Sequence, residues 1–282
     1  MKAVWLSRLG GLDTLVYGEQ PEPVITDPLD MIVRVRATAL NRIDLFMREG
    51  THAQAPTQYP FIPGNEFAGD VVAVGSGHLP VEPESEEFIR TRAAYAYYQR
   101  TKDPQWYPGQ RSGRFKVGDR VFGTARSSFA ELVRVRPYGN LPQEAVESIP
   151  FGLSYEEAAS IPISFLTAWH ALHCAGNLRI GEDVLVMSGG SGTGSAAIQL
   201  AKAVGGRVIT TVGTDEKLEK AKALGADFGI NYKKSPQFSK LVLDLTGDEG
   251  LDLVFDHIGA PLSRECFDCL KQYGRLVVYG VS

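Results

Sequence analysis

The sequence predicts an α/β protein in two parts, a mostly-β module followed by a doubly wound domain with a parallel sheet. Three observations carry this. Up to about residue 137 the apolar residues come in short runs broken by Gly and Pro, such as Pro21, Pro23, Pro28, Pro60, Pro63, Gly64, Gly75, Gly118 and Pro137. From Ser154 onward, strand-length apolar runs alternate with helix-length stretches. Within that second part, DVLVMSGGSGTGSAAIQLAK (residues 183–202) runs from an apolar strand into glycines and then into a small-residue helix.

The elements follow in order. Strands are expected at Met31–Ala37, where polar and apolar residues alternate, and at Gly69–Val74, Asp119–Phe122 and Phe129–Arg136. Ser154 is an N-cap with Glu156 and Glu157 in the first turn of a helix that runs through Ala168–Leu172. Then come strand Val184–Met187, helix 194–204, strand Arg207–Val212, helix Asp215–Leu224, strand Phe228–Ile230 and a helix around Gln237–Leu245. Strand Leu251–Phe255, helix Pro261–Leu270 and strand Arg275–Tyr279 close the series. Strands joined by helical crossovers imply a parallel, doubly wound sheet.

The glycines at 189, 190, 192 and 194 fall between a strand and a helix, which is what a dinucleotide-binding turn requires. Glycine lets the backbone approach a pyrophosphate, and the helix start offers free N–H groups and a positive dipole end.

The chain of 282 residues is 44% hydrophobic, enough for two cores, and carries a net charge of −4 with both signs dispersed. That balance gives no support to a nucleic-acid surface. No apolar run reaches the roughly 18 residues of a membrane helix, and the N-terminus reads as a first strand rather than a signal peptide. Three cysteines, Cys174, Cys266 and Cys269, fit a reducing, cytoplasmic setting.

Two features break the pattern. Residues 79–113 form a charged, Tyr-rich insert, in which Ser85 would cap a helix from Glu86 to Lys102. It reads either as a surface helix on an extended loop or as a lid or partner surface. The sequence also stops at Ser282 after the fifth expected strand, where a six-stranded dinucleotide domain would need another unit. The expectation is an unpaired sheet edge, with lower stability and weak or no activity for this length of chain.

PGNEFAGDVVAVGSG, FKVGDRVFG, SIPISFLTAWHAL, the Gly-rich turn, LGADFGINY and FDHIGAPLSRECFDCLKQYGRLVVYG recur in an order and spacing that resemble the medium-chain dehydrogenase/reductase superfamily, quinone oxidoreductase branch. The resemblance implies a GroES-like catalytic domain over 1–150, interrupted by 79–113, and a Rossmann domain over 151–282, with the active site in the cleft between them. It also implies a homodimer for a full-length form.

Zinc-dependent members of that superfamily use an early Cys and the His of PGHE. Here the first position falls near Asn41, PGHE reads PGNE with Asn65, and no cysteine precedes position 174. The expectation is therefore no metal. His170 with His173, and Cys266 with Cys269, read as packed helix residues rather than metal pairs.

An NAD-preferring fold puts an acid at the end of its second strand. That end is Val212-Gly213-Thr214 here, with Lys217 downstream and Tyr232 after the third strand. In NADPH-dependent relatives, residues matching Gly213, Lys217 and Tyr232 surround the 2′-phosphate. Asp215 and Glu216 read as first-turn residues serving the helix dipole. The expected cofactor is NADPH, held also by Gly190, Gly192, Thr193 and Gly194.

The resemblance places Asn41 and Asp44, from NRID, at the catalytic site. Asn41 would donate to a substrate oxygen or hold the nicotinamide side, and Asp44 would orient the loop. Thr167 matches a threonine beside the nicotinamide, and Tyr279, Gly280 and Ser282 lie where the fifth strand reaches the carboxamide. Where related enoyl reductases carry a tyrosine proton donor, this chain has His52, which reads as a donor or as a half-exposed loop histidine. Phe46 replaces a tyrosine, making the substrate side more apolar. The expected reaction is hydride transfer from NADPH to a quinone or enone. The alternatives are an enoyl-thioester reductase and a non-catalytic NADPH-binding protein.

Overall fold

Met31 and Val33 alternate with more exposed neighbours along β3 (Met31–Ala37), so one face of this strand is driven out of water. β3 lies between β6 (Leu132–Val135) and β4 (Glu66–Val74), and β5 (Arg120–Thr124) and β7 (Val146–Ser148) continue the sheet beyond β4. All pairings are antiparallel. Beneath it Met31, Val33, Phe67, Val71, Phe115, Val121, Val133, Val135 and Val146 form one core. β1 (Lys2–Leu6) and β2 (Leu15–Glu19) make a separate antiparallel pair. A Cβ at Gly69 would stand 2.1 Å from the carbonyl oxygen of Arg34, so only glycine lets β4 approach β3 there.

The computed structural model describes residues 1–76, 115–137, 145–260 and 262–280. The insert at 79–113 and Ser282 lie outside the described residues.

The chain divides into two units, Met1–Pro162 and Ile163–Ser282. The division falls beyond residue 150 because α2 (Tyr155–Ala159) belongs with the first sheet: Ala158 and Ala159 are buried with Ala68 and Ile149, against Phe122. Ser154 caps this helix, its hydroxyl accepting from Glu157 N–H at 3.1 Å while the Glu157 carboxylate accepts from Ser154 N–H at 2.8 Å. The single helix expected from Ser154 to Leu172 is broken. Proline has no N–H to donate back, so Pro162 ends one helix and opens the next. α3 covers Pro162–Trp169 and then widens into a π-helical turn, His170–Ala175.

One helix of the first unit was not expected. α1 (Arg42–Glu49) starts at Asn41 and ends at Gly50, whose φ of 80° is left-handed.

The second unit is a five-stranded sheet with the order β10-β9-β8-β11-β12, all parallel. Its strands are β8 (Asp183–Val186), β9 (Arg207–Val212), β10 (Phe228–Asn231), β11 (Leu251–Asp256) and β12 (Leu270–Val278). Alternation explains why both faces are covered. Val184, Val186, Val208, Leu253 and Phe255 pack with Ala196, Ala197 and Ala201 of α4 (Gly192–Ala203). Leu185, Ile209 and Val254 face the other way, onto Phe238 and Val242 of α6 (Phe238–Thr246) and Cys266 of α7 (Ser263–Asp268). α5 (Asp215–Ala223) joins β9 to β10. The chain is therefore a GroES-like antiparallel module and a Rossmann-type parallel sheet.

β12 begins at Leu270 rather than Arg275. Its pairing with β11 shifts between Leu251 and Leu253, and Tyr273 takes a left-handed φ of 66°. An irregular strand of this kind carries no clean alternation to read.

Candidate functional site

In the second unit, β8 leads through Met187 into the Gly-rich turn. Ser188 has a left-handed φ of 54°, and the turn closes on itself at two glycines. A Cβ on Gly189 would lie 2.1 Å from Thr210 Oγ1, and one on Gly194 would lie 2.2 Å from the Ser188 carbonyl oxygen. The N–H of Gly194 donates to Ser191 Oγ at 3.0 Å. Gly194 thus seats the turn, and its N–H is already committed. The N–H groups of Gly192 and Thr193, first in α4, have no acceptor within the helix. They and the dipole end are what the turn offers an anion.

Gly190 and Gly192 are exposed and differ in kind from the other two. A Cβ on Gly190 would meet the stem of Lys217, 2.8 Å from its Cδ, and one on Gly192 would stand 2.8 Å from Ser164 Oγ of α3.

The end of β9 gathers the next group. Val212 is buried in the core, so the side-chain position facing outward there belongs to Gly213. Tyr232 donates its N–H to the Val212 carbonyl at 3.1 Å. Its hydroxyl lies 2.8 Å from where a Gly213 Cβ would be, and Lys233 Cε lies 3.6 Å from it. Thr214 caps α5, accepting from Lys217 N–H at 3.3 Å. The structure thus pairs Gly190 with Lys217 and Gly213 with Tyr232.

The acids nearby are engaged. Asp215 accepts from Asn231 Nδ2 at 2.8 Å and from Lys234 Nζ at 2.5 Å, and Glu216 pairs with Lys220 at 2.7 Å. Lys234 and Asn231 hold the Asp215 carboxyl below its ordinary range. Among the described residues, Lys217 and Lys233 form no ion pair.

At the end of β12, Tyr279 donates its N–H to the Asp256 carbonyl at 2.9 Å, and its ring packs on Phe255 with centroids 4.1 Å apart. Burial pushes its phenol well above the ordinary value, so it stays protonated. Gly280 follows with a left-handed φ of 64°. Thr167 is half-buried on α3.

In the first unit, NRID is a helix start. Asn41 N–H donates to Asp44 Oδ2 at 2.8 Å, and Asp44 N–H returns to the Asn41 carbonyl at 3.0 Å. Asn65 Nδ2 donates to Asp44 Oδ1 at 2.7 Å, and Asn41 Nδ2 donates to Glu66 Oε1 at 2.5 Å. Asp44 and Glu66 are 5% and 1% exposed, which makes this the most deeply buried polar group the site residues enter. Burial raises the Asp44 carboxyl above its ordinary value, against the bonds from Asn41, Asn65 and Gly64 that lower it. Both oxygens of Asp44 accept bonds from its neighbours in the first unit, which suits it to holding the helix start in place. Glu66 was missed from sequence, although it adjoins Asn65 in PGNE.

His52 lies in the segment after α1, half-buried, and its Nδ1 accepts from Gln54 N–H at 3.1 Å. That bond puts the proton of the neutral ring on Nε2.

Among the described residues no group of three or more His, Cys, Asp or Glu is placed to hold a metal ion. His173 stacks on Trp169 at 4.2 Å. Cys266 and Cys269 are fully buried, their thiols pushed up to about 12 by burial. Thiols so placed are packing groups.

The descriptions of two domain families match the chain: "alcohol dehydrogenase GroES-like domain" over residues 27–90 and "zinc-binding dehydrogenase" over residues 192–282. A zinc-type alcohol dehydrogenase-like protein of Schizosaccharomyces pombe is 30% identical over 275 residues, covering 97% of this chain and 74% of the yeast protein. The chain belongs to the medium-chain dehydrogenase/reductase superfamily. Its place is in the quinone oxidoreductase branch of that superfamily. The structure of Escherichia coli quinone oxidoreductase complexed with NADPH superposes with a TM-score of 0.79 at 25% identity, covering 100% of this chain and 73% of the other. An NAD-dependent alcohol dehydrogenase superposes with a TM-score of 0.78 at 32% identity, covering 100% and 78%. The chain also matches a highly reducing polyketide synthase of Arthrinium phaeospermum, 30% identical over 279 residues, and spans 10% of that longer protein. No helix among the described residues is long and apolar enough to cross a membrane.

Proposed function

We propose that this protein is a zinc-independent, NADPH-dependent oxidoreductase that delivers hydride to a quinone or an activated alkene. One observation carries the cofactor reading. At the end of β9, Gly213 presents no side chain, the Tyr232 hydroxyl stands beside it, and the stem of Lys217 crosses the turn at Gly190. A cation and a hydroxyl in this region suit a phosphate, whose charge and several acceptor oxygens a 2′-hydroxyl lacks. The turn suits a pyrophosphate, because Gly190 and Gly192 are exposed and the N–H groups of Gly192 and Thr193 have no acceptor within the helix.

NADPH, when bound, supplies the hydride. The chain's own residues bind and orient. Lys217 and Tyr232 select the 2′-phosphate, and the α4 N-terminus holds the diphosphate. By the family resemblance Thr167, Tyr279 and Gly280 lie along the nicotinamide end. An amide nitrogen carries two hydrogens, so Asn41 can hold Glu66 with one and donate the other to a substrate oxygen. His52, with its proton on Nε2, is the proton donor where an alkene is reduced.

The zinc reading is disfavoured by donor chemistry. Asn65 stands where zinc-dependent relatives have imidazole, and its Nδ2 is a donor bound to Asp44. The polyketide-synthase match favours a second reading, reduction of an enoyl thioester.

The test is NADPH oxidation by chelator-dialysed protein against a panel of quinones, enones and enoyl thioesters. Turnover that survives chelation with a quinone or enone supports the proposal. Turnover restored only by added zinc, or confined to alcohols with NAD⁺, overturns it.

A further inference from the structure

Asp215 stands three residues past the end of β9, on the first turn of α5. An unrestrained carboxylate there would repel a phosphate and accept a hydrogen bond from a ribose hydroxyl. The structure restrains it. Asn231 Nδ2 donates to Oδ1 at 2.8 Å, and Lys234 Nζ donates to Oδ2 at 2.5 Å. Asn231 ends β10 as the register partner of Val212, and Lys234 lies in the turn after it, where its N–H donates to the Asn231 carbonyl at 3.0 Å. The same turn carries Tyr232 and Lys233, which supply the three atoms nearest to the vacant side-chain position of Gly213. One short turn thus brings a hydroxyl and a cation to Gly213 and ties the acid with its other residues.

We propose that Asn231 and Lys234 form a clamp that holds Asp215 away from Gly213 and so sets the preference for a 2′-phosphate over a 2′-hydroxyl. Lys234 is a positioning residue, acting through Asp215. The inference rests on the reading of this end of β9 as the 2′-phosphate site. Lys234 and Asp215 are 68% and 60% exposed at their side chains, so removing either leaves the fold intact. Freed of Lys234, the Asp215 carboxylate can turn toward Gly213, where no Cβ obstructs it.

The test is fluorescence titration of NADPH and NADH against the wild-type protein, Lys234→Ala, Asp215→Ala and the double variant, at one ionic strength. Lys234→Ala should weaken NADPH about two- to fivefold and tighten NADH, the range an exposed charge pair supports. The double variant should recover NADPH affinity to within about twofold and lose the gain for NADH. Loss of NADPH affinity that the double variant does not recover would make Lys234 a plain attracting cation and overturn the clamp, as would equal weakening of both cofactors or no change in either. A wild-type protein that binds NADH more tightly than NADPH would instead strike the 2′-phosphate reading itself, and the clamp with it.

Discussion

The stem of Lys217 lies across Gly190. A Cβ on the glycine would stand 2.8 Å from the lysine Cδ and 3.3 Å from its Cγ. The Gly-rich turn and the lysine proposed to select the cofactor are therefore one packed unit. Gly190→Ala should push the lysine aside at little cost to folding, since a flexible side chain yields. NADPH should weaken by roughly three- to tenfold, with NADH nearly unchanged, when both are titrated. Equal loss for both would assign Gly190 to the pyrophosphate alone.

Gly192 meets a different neighbour, Ser164 Oγ at 2.8 Å from its Cβ position. Gly192→Val adds a branched side chain at the start of α4, in the path of the pyrophosphate. Binding of both cofactors should fall by about a hundredfold or more, while the first unit stays folded. Unchanged affinity in a fluorescence titration would move the phosphate site elsewhere.

The parallel unit was the more legible half. Strands buried on both faces, such as Leu185 between Val184 and Val186, announce themselves by composition, and the glycines mark the turn. The end of β9 was reached through family resemblance rather than pattern, because Gly213 and Tyr232 come together only when β9 and β10 pair, and Lys217 lies on the helix between those strands. The contact of Lys217 with Gly190 had no local signal at all. In the first unit, α1 was missed although Ile43, Phe46 and Met47 fall at helical spacing, because an eight-residue helix is too short for that spacing to repeat. Its evidence lay in the Asn41–Asp44 cap and the left-handed Gly50. Glu66 was missed because nothing near it in sequence identifies Asn41 as its partner. The break at Pro162 was written in the sequence and read through.

Asp44 gives a pH test. Its carboxyl has an ordinary value of 3.8 and is raised by burial in the fold. The folded protein then holds that proton more tightly than the unfolded chain does. The group's contribution to stability is complete below about pH 3.8 and is lost as pH rises through the raised value. Asp44→Asn removes this titration. The wild type's advantage in Tm over the variant should be largest near pH 4 and should narrow as pH rises. An advantage that widens with pH would mean that the bonds from Asn41, Asn65 and Gly64 outweigh burial.

The proposed donor role of His52 separates the two substrate classes in a test. Its Nδ1 is committed to Gln54, which leaves Nε2–H as the proton to give. His52→Phe should lower kcat for an enone by about ten- to a hundredfold. With a quinone it should change little, since the reduced oxygens take protons from water. Unaltered turnover of the enone would return His52 to a loop role.

The central claim is that this end of β9 reads the 2′-phosphate, and Lys217→Ala tests it most directly. Losing one charge-assisted phosphate contact costs roughly 1.5–3 kcal/mol, so NADPH affinity should fall by about ten- to a hundredfold. NADH affinity, titrated on the same preparations, should hold within about twofold. Equal weakening of the two cofactors, or none for NADPH, would contradict the account.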